Sequence, residues 1–138
     1  MPRFKAILWD NDGVLVDTEH LYRDATLEIL ARTGVTLSAD EYRELFLTQN
    51  HGAWHLAVAR GYSEAQIAHM RGERDELYSD KLRDRDHAID GVAEVLAALH
   101  GRYAMGVVTS SQRSHFELIH ARGGLLRYFD FVLTREQY

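Results

Sequence analysis

Residues 9–19 have the sequence WDNDGVLVDTE, in which two carboxylates, Asp10 and Asp12, directly follow an apolar run. The run, Phe4–Trp9, is typical of a short buried strand in a parallel sheet that is covered on both faces. Side chains two residues apart in an extended segment point to the same side, so both carboxylates can face one small site while Asn11 points away. Open α/β sheets bind ligands at the carboxyl ends of their strands. The stretch therefore predicts a polar site at such an end, although an Asp-rich turn without chemistry stays open as an alternative.

The rest of the chain predicts helices around two further strands. We expect these strands at Tyr103–Val108 and Phe131–Leu133. A helix begins after Asp17 or Thr18, and about three more are predicted over 39–48, 52–60 and 64–85. Capping-box patterns, Ser38 with Glu41 and Ser63 with Gln66, open the first and the last of these three. Three later helical segments are predicted. The first begins at residue 92 and is closed by Gly101, the second is capped at Thr109-Ser110-Ser111 and runs to about Arg122, and the third is a short turn at Leu125–Tyr128. This order predicts a three-layer α/β core with a parallel sheet, at residues 1–16 and 88–138, and an inserted helical domain at 17–87.

The composition excludes several function classes. The chain has 138 residues, 16 basic against 21 acidic side chains, a net charge of −5 and no cysteine. Phosphate backbones need clustered basic side chains, so nucleic acid is not an expected partner. The first apolar run, interrupted at Asp10, is too short for a signal peptide or a membrane span. A chain without cysteine cannot use thiols and suits a reducing compartment, so we expect a soluble cytoplasmic protein with no membrane partner.

Two motifs then identify a family resemblance. Residues 9–19 closely resemble the first motif of the haloacid dehalogenase (HAD) superfamily, in its Mg²⁺-dependent phosphatase and β-phosphoglucomutase-like branch with a helical cap. Residues 106–111, GVVTSS, end the next core strand and look like the second motif of that family. The helical insertion between them, of roughly seventy residues, has the size and position of the family's first cap type. The resemblance spans the whole chain and implies a Rossmann-like core.

The resemblance also implies roles for matching residues. Asp10 would be the nucleophile that forms an aspartyl-phosphate, and Asp12 would be the general acid and then the general base. The cofactor would be Mg²⁺, held by the Asp10 carboxylate and the Asp12 backbone carbonyl. Thr109 would bind the phosphoryl group through its hydroxyl, and Ser110 through its backbone N–H. The implied activity is hydrolysis of a phosphomonoester.

The substrate is less well defined by the sequence. A carboxylate at Asp12 argues against the dehalogenase and phosphonate-cleaving branches of the family. Related sugar phosphomutases usually carry a histidine where this chain has Tyr22, which favours hydrolysis but leaves a mutase as an alternative. We expect a small, sugar-phosphate-like metabolite, with substrate contacts from Thr18, Tyr22, Asn50 and His51.

The chain departs from the family pattern in its last part. Members supply a lysine after the third core strand and an acidic pair on the fourth, yet no lysine follows Lys81 here and the sequence ends at Tyr138. We expect activity to need such a segment, and the first strand to be an exposed edge without it. Two explanations stay open: the front part of a longer enzyme, completed by a C-terminal fragment, or a natural truncation completed by a partner or a swapped copy. The alternative function is a catalytically incompetent fragment or interaction module.

Overall fold

A computed structural model describes residues 3–48 and 52–138. Its strands are β1 (Ala6–Trp9), β2 (Ala104–Val108) and β3 (Phe131–Leu133). Its α helices are α1 (Glu19–Ala31), α2 (Ala39–Arg43), α3 (His55–Ala59), α4 (Glu64–Leu82), α5 (Val92–Leu99) and α6 (Arg113–His120). A π-helical segment follows α2 at Glu44–Thr48, and 3₁₀ turns occupy Leu125–Tyr128 and Arg135–Gln137. Across these described ranges, none of the helices combines the length and the apolarity needed to cross a membrane.

The chain divides into two compact units. The first consists of Met1–Glu19 and Leu82–Tyr138, and the second is His20–Lys81. The first unit contains all three described strands, and the second contains most of α1 and the helices up to α4. The boundaries between the two units, after Glu19 and after Lys81, lie a few residues from the domain boundaries that the sequence predicts, after residues 16 and 87.

The first unit is built on a parallel sheet with the strand order β1-β2-β3. Leu8 is in register with Gly106 between β1 and β2, and Val107 is in register with Val132 between β2 and β3. Both pairings are parallel, so the carboxyl ends of the three strands lie at the same edge of the sheet. The buried side chains of this unit include Leu15, Leu96, Met105, Val107, Phe116, Ile119 and Leu125. The topology therefore brings the turns after β1 and β2 together.

The first strand is not buried on both faces, as its apolar run predicts, but is the exposed edge that the departure from the family pattern predicts. Leu8 is 64% exposed and Phe4 is 67% exposed. In the described part of the chain β1 pairs with β2 alone, which makes it an edge strand. An apolar run gives the hydrophobicity of a strand but not the number of its neighbours, and the neighbours decide its burial.

The second unit has its own hydrophobic core. Its buried members come from α1 and the loop after it, from α2, from the segment before α3, and from α3 and α4. They include Ile29, Leu30, Val35, Tyr42, Trp54, Ala57, Ile67 and Met70. The Ser38 hydroxyl accepts the N–H of Glu41 and the Glu41 carboxylate accepts the N–H of Ser38, the capping box that the sequence predicts for α2. The helix predicted over 64–85 ends at Leu82, shortly before Asp84, which adopts a left-handed φ of 60°.

Candidate functional site

The turn after β1 is organised around the backbone of Asn11. Its carbonyl oxygen accepts N–H groups from Val14, Leu15 and Val16 at 3.2, 2.9 and 3.3 Å. The N–H of Gly13 donates to the carbonyl of Val16 at 2.8 Å, which closes the turn. Gly13 has a φ of 78°, a conformation that residues with a Cβ rarely adopt. These bonds fix the path of the chain as it leaves the sheet.

The side chains of the turn alternate as the extended segment predicts. Asp10 is exposed, Asn11 is fully buried and Asp12 is partly buried. The Oδ1 atom of Asp10 accepts the N–H of Asn11 at 2.8 Å, which restrains the Asp10 carboxylate beside its own backbone. Both carboxylates therefore belong to one turn, with the amide between them directed into the protein.

Two hydroxyl groups hold the carboxylate of Asp12. Thr18 donates to Oδ1 at 2.7 Å, and Ser111 donates to Oδ2 at 2.7 Å. Thr18 is fully buried and directly precedes α1, whereas Ser111 follows β2. A hydroxyl can donate to a carboxylate and can rotate to accept from a carboxylic acid. This arrangement can keep Asp12 in one position whether or not it carries a proton.

The two residues predicted to bind phosphate lie where β2 ends. Thr109 is buried, its N–H donates to the carbonyl of Leu133 at 3.0 Å, and its Oγ1 accepts the N–H of Ser111 at 3.1 Å. That last bond uses a lone pair of the Thr109 hydroxyl and leaves its hydrogen for donation. Ser110 is exposed at the same edge of the sheet. Ser111, which contacts Asp12, thus joins the Thr109 segment to the turn after β1.

The helix that follows this segment starts later than the sequence predicts. Its first residue is Arg113 and its N-cap is Gln112, whereas the sequence places the cap at Thr109-Ser110-Ser111. The N–H of Arg113 donates to both carboxylate oxygens of Glu136, each at 3.0 Å, and this bond lowers the pKa of Glu136 below its ordinary value. The carboxylate takes a position that favours negative charge, at the amino end of α6.

A second long-range bond reaches the turn from the other end of α6. Nε2 of His120 donates to Oδ1 of Asn11 at 2.7 Å, and the His120 ring lies against Phe116 with a centroid separation of 4.6 Å. Burial lowers the pKa of His120 to about 4, against the opposing effect of the Asp12 charge and with a smaller contribution from His87 in the same direction. The ring is therefore neutral at pH 7, with one N–H to donate.

The Asn11–His120 contact leaves polar atoms unsatisfied. Among residues 3–48 and 52–138, Nδ2 of Asn11 and Nδ1 of His120 have no hydrogen-bond partner. A buried polar atom without a partner costs about 1–3 kcal/mol of stability. The protein thus keeps a polar contact at this position at an energetic disadvantage.

The donor atoms of the turn fit a hard cation only in part. The described residues contain no cluster of three or more His, Asp or Glu side chains that could hold a metal ion. Mg²⁺ does not require such a cluster, because it keeps several waters and binds through one or two carboxylates. The exposed Asp10 carboxylate and the backbone carbonyl of Asp12 are oxygen donors of the right kind. The Asp12 carboxylate is less suited, since hydroxyls hold both of its oxygens.

The predicted substrate residues have different surroundings. Thr18 is buried with its hydroxyl on Asp12, which favours a role in holding that carboxylate over direct contact with a substrate. Tyr22 belongs to the second unit, where its ring makes an edge-on contact with Tyr78 at 5.2 Å. The guanidinium of Arg74 lies 4.6 Å from the centre of the same ring. The other two, Asn50 and His51, fall outside the described residues.

Sequence reasoning missed the partners of the turn. Ser111 is visible in the sequence only as a third polar residue after β2, and the motif offers no reason to prefer it to Ser110. His120 lies four residues after Phe116, a helical spacing that places both on one face. Its bond to Asn11 spans 109 positions of sequence, a distance at which no local pattern signals contact.

Comparisons with known proteins agree with the family resemblance. The sequence profile of the haloacid dehalogenase-like hydrolase family matches residues 4–138. The fructose-1-phosphate phosphatase YqaB of Escherichia coli strain K12 is 26% identical over 137 residues, which cover 97% of this chain and 71% of that protein. The validoxylamine A 7'-phosphate phosphatase of Streptomyces hygroscopicus subsp. limoneus is 29% identical over 143 residues, covering 96% of this chain and 62% of that protein.

A solved structure shows the same fold. The crystal structure of a predicted phosphoglycolate phosphatase from Haemophilus somnus 129Pt superposes with a TM-score of 0.82 at 20% identity, over all of this chain and 65% of that one. The α/β fold with a parallel sheet that the sequence predicts is thereby confirmed. The chain spans less than two thirds of this structure and of the Streptomyces phosphatase.

The buried neutral His120 predicts a pH-dependent stability. As the pH falls from 7 to 5, the unfolded chain protonates this residue at its ordinary pKa of 6.5, but the folded protein, with a pKa of about 4, does not. The free energy of unfolding should therefore fall by about 2 kcal/mol over this interval because of His120 alone. Urea denaturation at both pH values measures the fall in the wild type and in His120→Gln. The variant should lose about 2 kcal/mol less than the wild type, and equal losses would contradict the assignment.

Proposed function

The chain belongs to the haloacid dehalogenase-like hydrolase family, and from that premise we propose that it hydrolyses small phosphomonoesters through an aspartyl-phosphate on Asp10. One observation carries the proposal. The turn after β1 presents an exposed carboxylate and, two residues later, a carboxylate held by hydroxyls from Thr18 and Ser111. The exposed group is suited to attack a substrate, and the held group is suited to move protons.

In the first step Asp10 acts as the nucleophile. A carboxylate oxygen of Asp10 attacks phosphorus, and the bond from phosphorus to the ester oxygen breaks. The bond from Asn11 N–H to Oδ1 restrains the carboxylate during the attack, so Oδ2 is the atom that we assign to it. Asp12, protonated at this stage, gives its proton to the departing alkoxide, and the alcohol leaves.

In the second step Asp12 works in the opposite direction. Its carboxylate removes a proton from a water molecule, the water oxygen attacks the phosphorus of the aspartyl-phosphate, and the bond from phosphorus to Asp10 breaks. Phosphate leaves, Asp10 returns as a carboxylate and Asp12 is again protonated. The hydroxyls of Thr18 and Ser111 can follow this change by rotating between donating and accepting, so that Asp12 keeps its place.

Charge on the phosphoryl group must be balanced by groups around it. We propose that the Asp10 carboxylate and the Asp12 backbone carbonyl hold Mg²⁺, and that Thr109 and Ser110 donate hydrogen bonds to the phosphoryl oxygens. When bound, Mg²⁺ would neutralise developing negative charge and orient the phosphoryl group. Because no lysine follows Lys81 in the sequence, we also propose that a cationic group and further acidic ligands come from a C-terminal segment or a second copy of the chain.

We propose a small sugar-phosphate-like metabolite as the substrate. The relative from Escherichia coli is named a fructose-1-phosphate phosphatase, and the relative from Streptomyces acts, by its name, on a phosphorylated validoxylamine. The chain has a net charge of −5 and no cysteine, which supports a metabolite over nucleic acid and a reducing, cytoplasmic setting.

Replacing the nucleophile tests the reaction. We expect p-nitrophenyl phosphate hydrolysis to require Mg²⁺, to stop in EDTA, and to be abolished by Asp10→Asn, because an amide oxygen cannot form the acyl phosphate. Asp12→Asn should lower kcat by about 10²–10⁴-fold, since it removes the proton donor. Asp40→Asn is a matched control, because Asp40 is exposed in the first turn of α2, and it should keep wild-type activity.

The assay uses the 138-residue chain and the longest natural chain that contains it. Turnover by the longer chain alone supports the proposed need for a further segment. Turnover that survives Asp10→Asn overturns the mechanism. If neither chain turns over with Mg²⁺, the protein is the catalytically incompetent module that the sequence leaves as an alternative.

The products separate a phosphatase from a phosphomutase. With a panel of hexose and pentose monophosphates, we expect inorganic phosphate and free sugar to accumulate in equal amounts. Inorganic pyrophosphate serves as the anionic comparison and should be the poorer substrate. Formation of an isomeric sugar phosphate without phosphate release, followed by ³¹P NMR, would instead establish the mutase.

A further inference from the structure

The buried contact between Asn11 and His120 has no part in the proton and phosphoryl transfers described above. It joins the residue between the two carboxylates to the last residue of α6. Asn11 is fully buried and His120 is 5% exposed. The contact is therefore internal, and neither side chain is placed to touch a substrate.

The backbone of Asn11 connects both carboxylates. Its N–H donates to Asp10 Oδ1, and its carbonyl accepts the three amides that form the turn around Asp12. A rotation of the peptide units on either side of Asn11 would move both carboxylates at once. Among the hydrogen bonds of the described residues, Asn11 makes one bond to a group outside the turn. This bond joins its side chain to His120.

The helix that carries His120 is attached to the turn at both ends. Ser111, two residues before α6, donates to Asp12 Oδ2, and His120, at the end of α6, donates to Asn11 Oδ1. The ring of His120 is in turn packed against Phe116, one helical turn earlier. The helix thus provides a rigid support of eight residues for the catalytic turn.

We propose that the Asn11–His120 hydrogen bond is a positioning device, which sets the backbone between Asp10 and Asp12 and so the direction in which both carboxylates point. The proposal rests on the proposed function for its kinetic consequence. It explains why a polar contact with two unsatisfied atoms occupies the interior, where an apolar pair would be less costly. The neutral state of the buried ring agrees with a single N–H donor directed at Asn11.

The test compares two histidines of one helix. His120→Leu removes the donor, and His115→Leu is the matched control, because His115 also lies on α6, is also 5% exposed and contacts Gln112. We expect His120→Leu to lower kcat by tenfold or more, since small misplacements of reacting groups have large effects on rate. KM of His120→Leu should change by less than about threefold, because His120 makes no contact with the substrate. For His115→Leu, kcat should change by less than about twofold, because the Asn11–His120 bond stays in place.

Two amide variants keep the test valid if His120→Leu does not fold. Glutamine can place an N–H near the position of Nε2, and asparagine is too short to do so. We expect His120→Gln to recover kcat to within about threefold of the wild type and His120→Asn to remain low. A His120→Gln variant no better than His120→Asn, or a folded His120→Leu variant with wild-type kcat, would overturn the proposal.

Hydrogen exchange gives a readout that does not depend on turnover. The amide of Leu15 donates to the carbonyl of Asn11 at 2.9 Å, so it reports the integrity of the turn. We expect its exchange to be at least tenfold faster in His120→Asn than in His120→Gln, and unchanged in His115→Leu. If the wild type hydrolyses no phosphate ester, the proposed function fails, but the exchange measurement still tests whether His120 holds the turn. Equal exchange of the Leu15 amide in His120→Asn and His120→Gln would refute the positioning role.

Discussion

The turn after β1 reverses the chain around the buried Asn11, and hydrogen bonds from the segment after β2 and from α6 hold this turn in place. Asn11 occupies the buried position between the carboxylates, and its carbonyl collects the three amides that reverse the chain. The left-handed conformation of Gly13 makes the reversal possible. Hydroxyls from both sides of the turn then hold Asp12, so its position depends on β2 and on the start of α1 as much as on its own segment.

The local sequence pattern was sufficient to predict several elements of the fold. β3 occupies the predicted Phe131–Leu133, and the capping box at Ser38 and Glu41 forms as expected, because both depend on neighbours in sequence. β1 is different: its hydrophobicity is local, but its burial depends on strands distant in sequence, and Leu8 is exposed. The predicted start of α6 is also wrong, because the Thr109 hydroxyl accepts the N–H of Ser111 and the Ser111 hydroxyl donates to Asp12, so neither caps the helix.

In the candidate site, too, some features follow from the local sequence and others depend on residues far apart in the chain. The alternation of Asp10, Asn11 and Asp12 follows from extended backbone geometry and is readable from three residues. The groups that hold this turn, Ser111 and His120, lie about one hundred residues away in sequence and reach it through the parallel pairing of β1 with β2. A single sequence identifies reactive groups by type and spacing, whereas the groups that orient them are defined by the fold.

The proposed reaction requires that Asp10 become covalently phosphorylated during turnover. The most direct measurement is to quench the enzyme during turnover, reduce it with borohydride and map the modified residue by mass spectrometry, because reduction converts an aspartyl-phosphate to homoserine. We predict homoserine at position 10 and unmodified aspartate at position 12. Homoserine at position 12, or its absence from both positions during sustained turnover, would contradict the account.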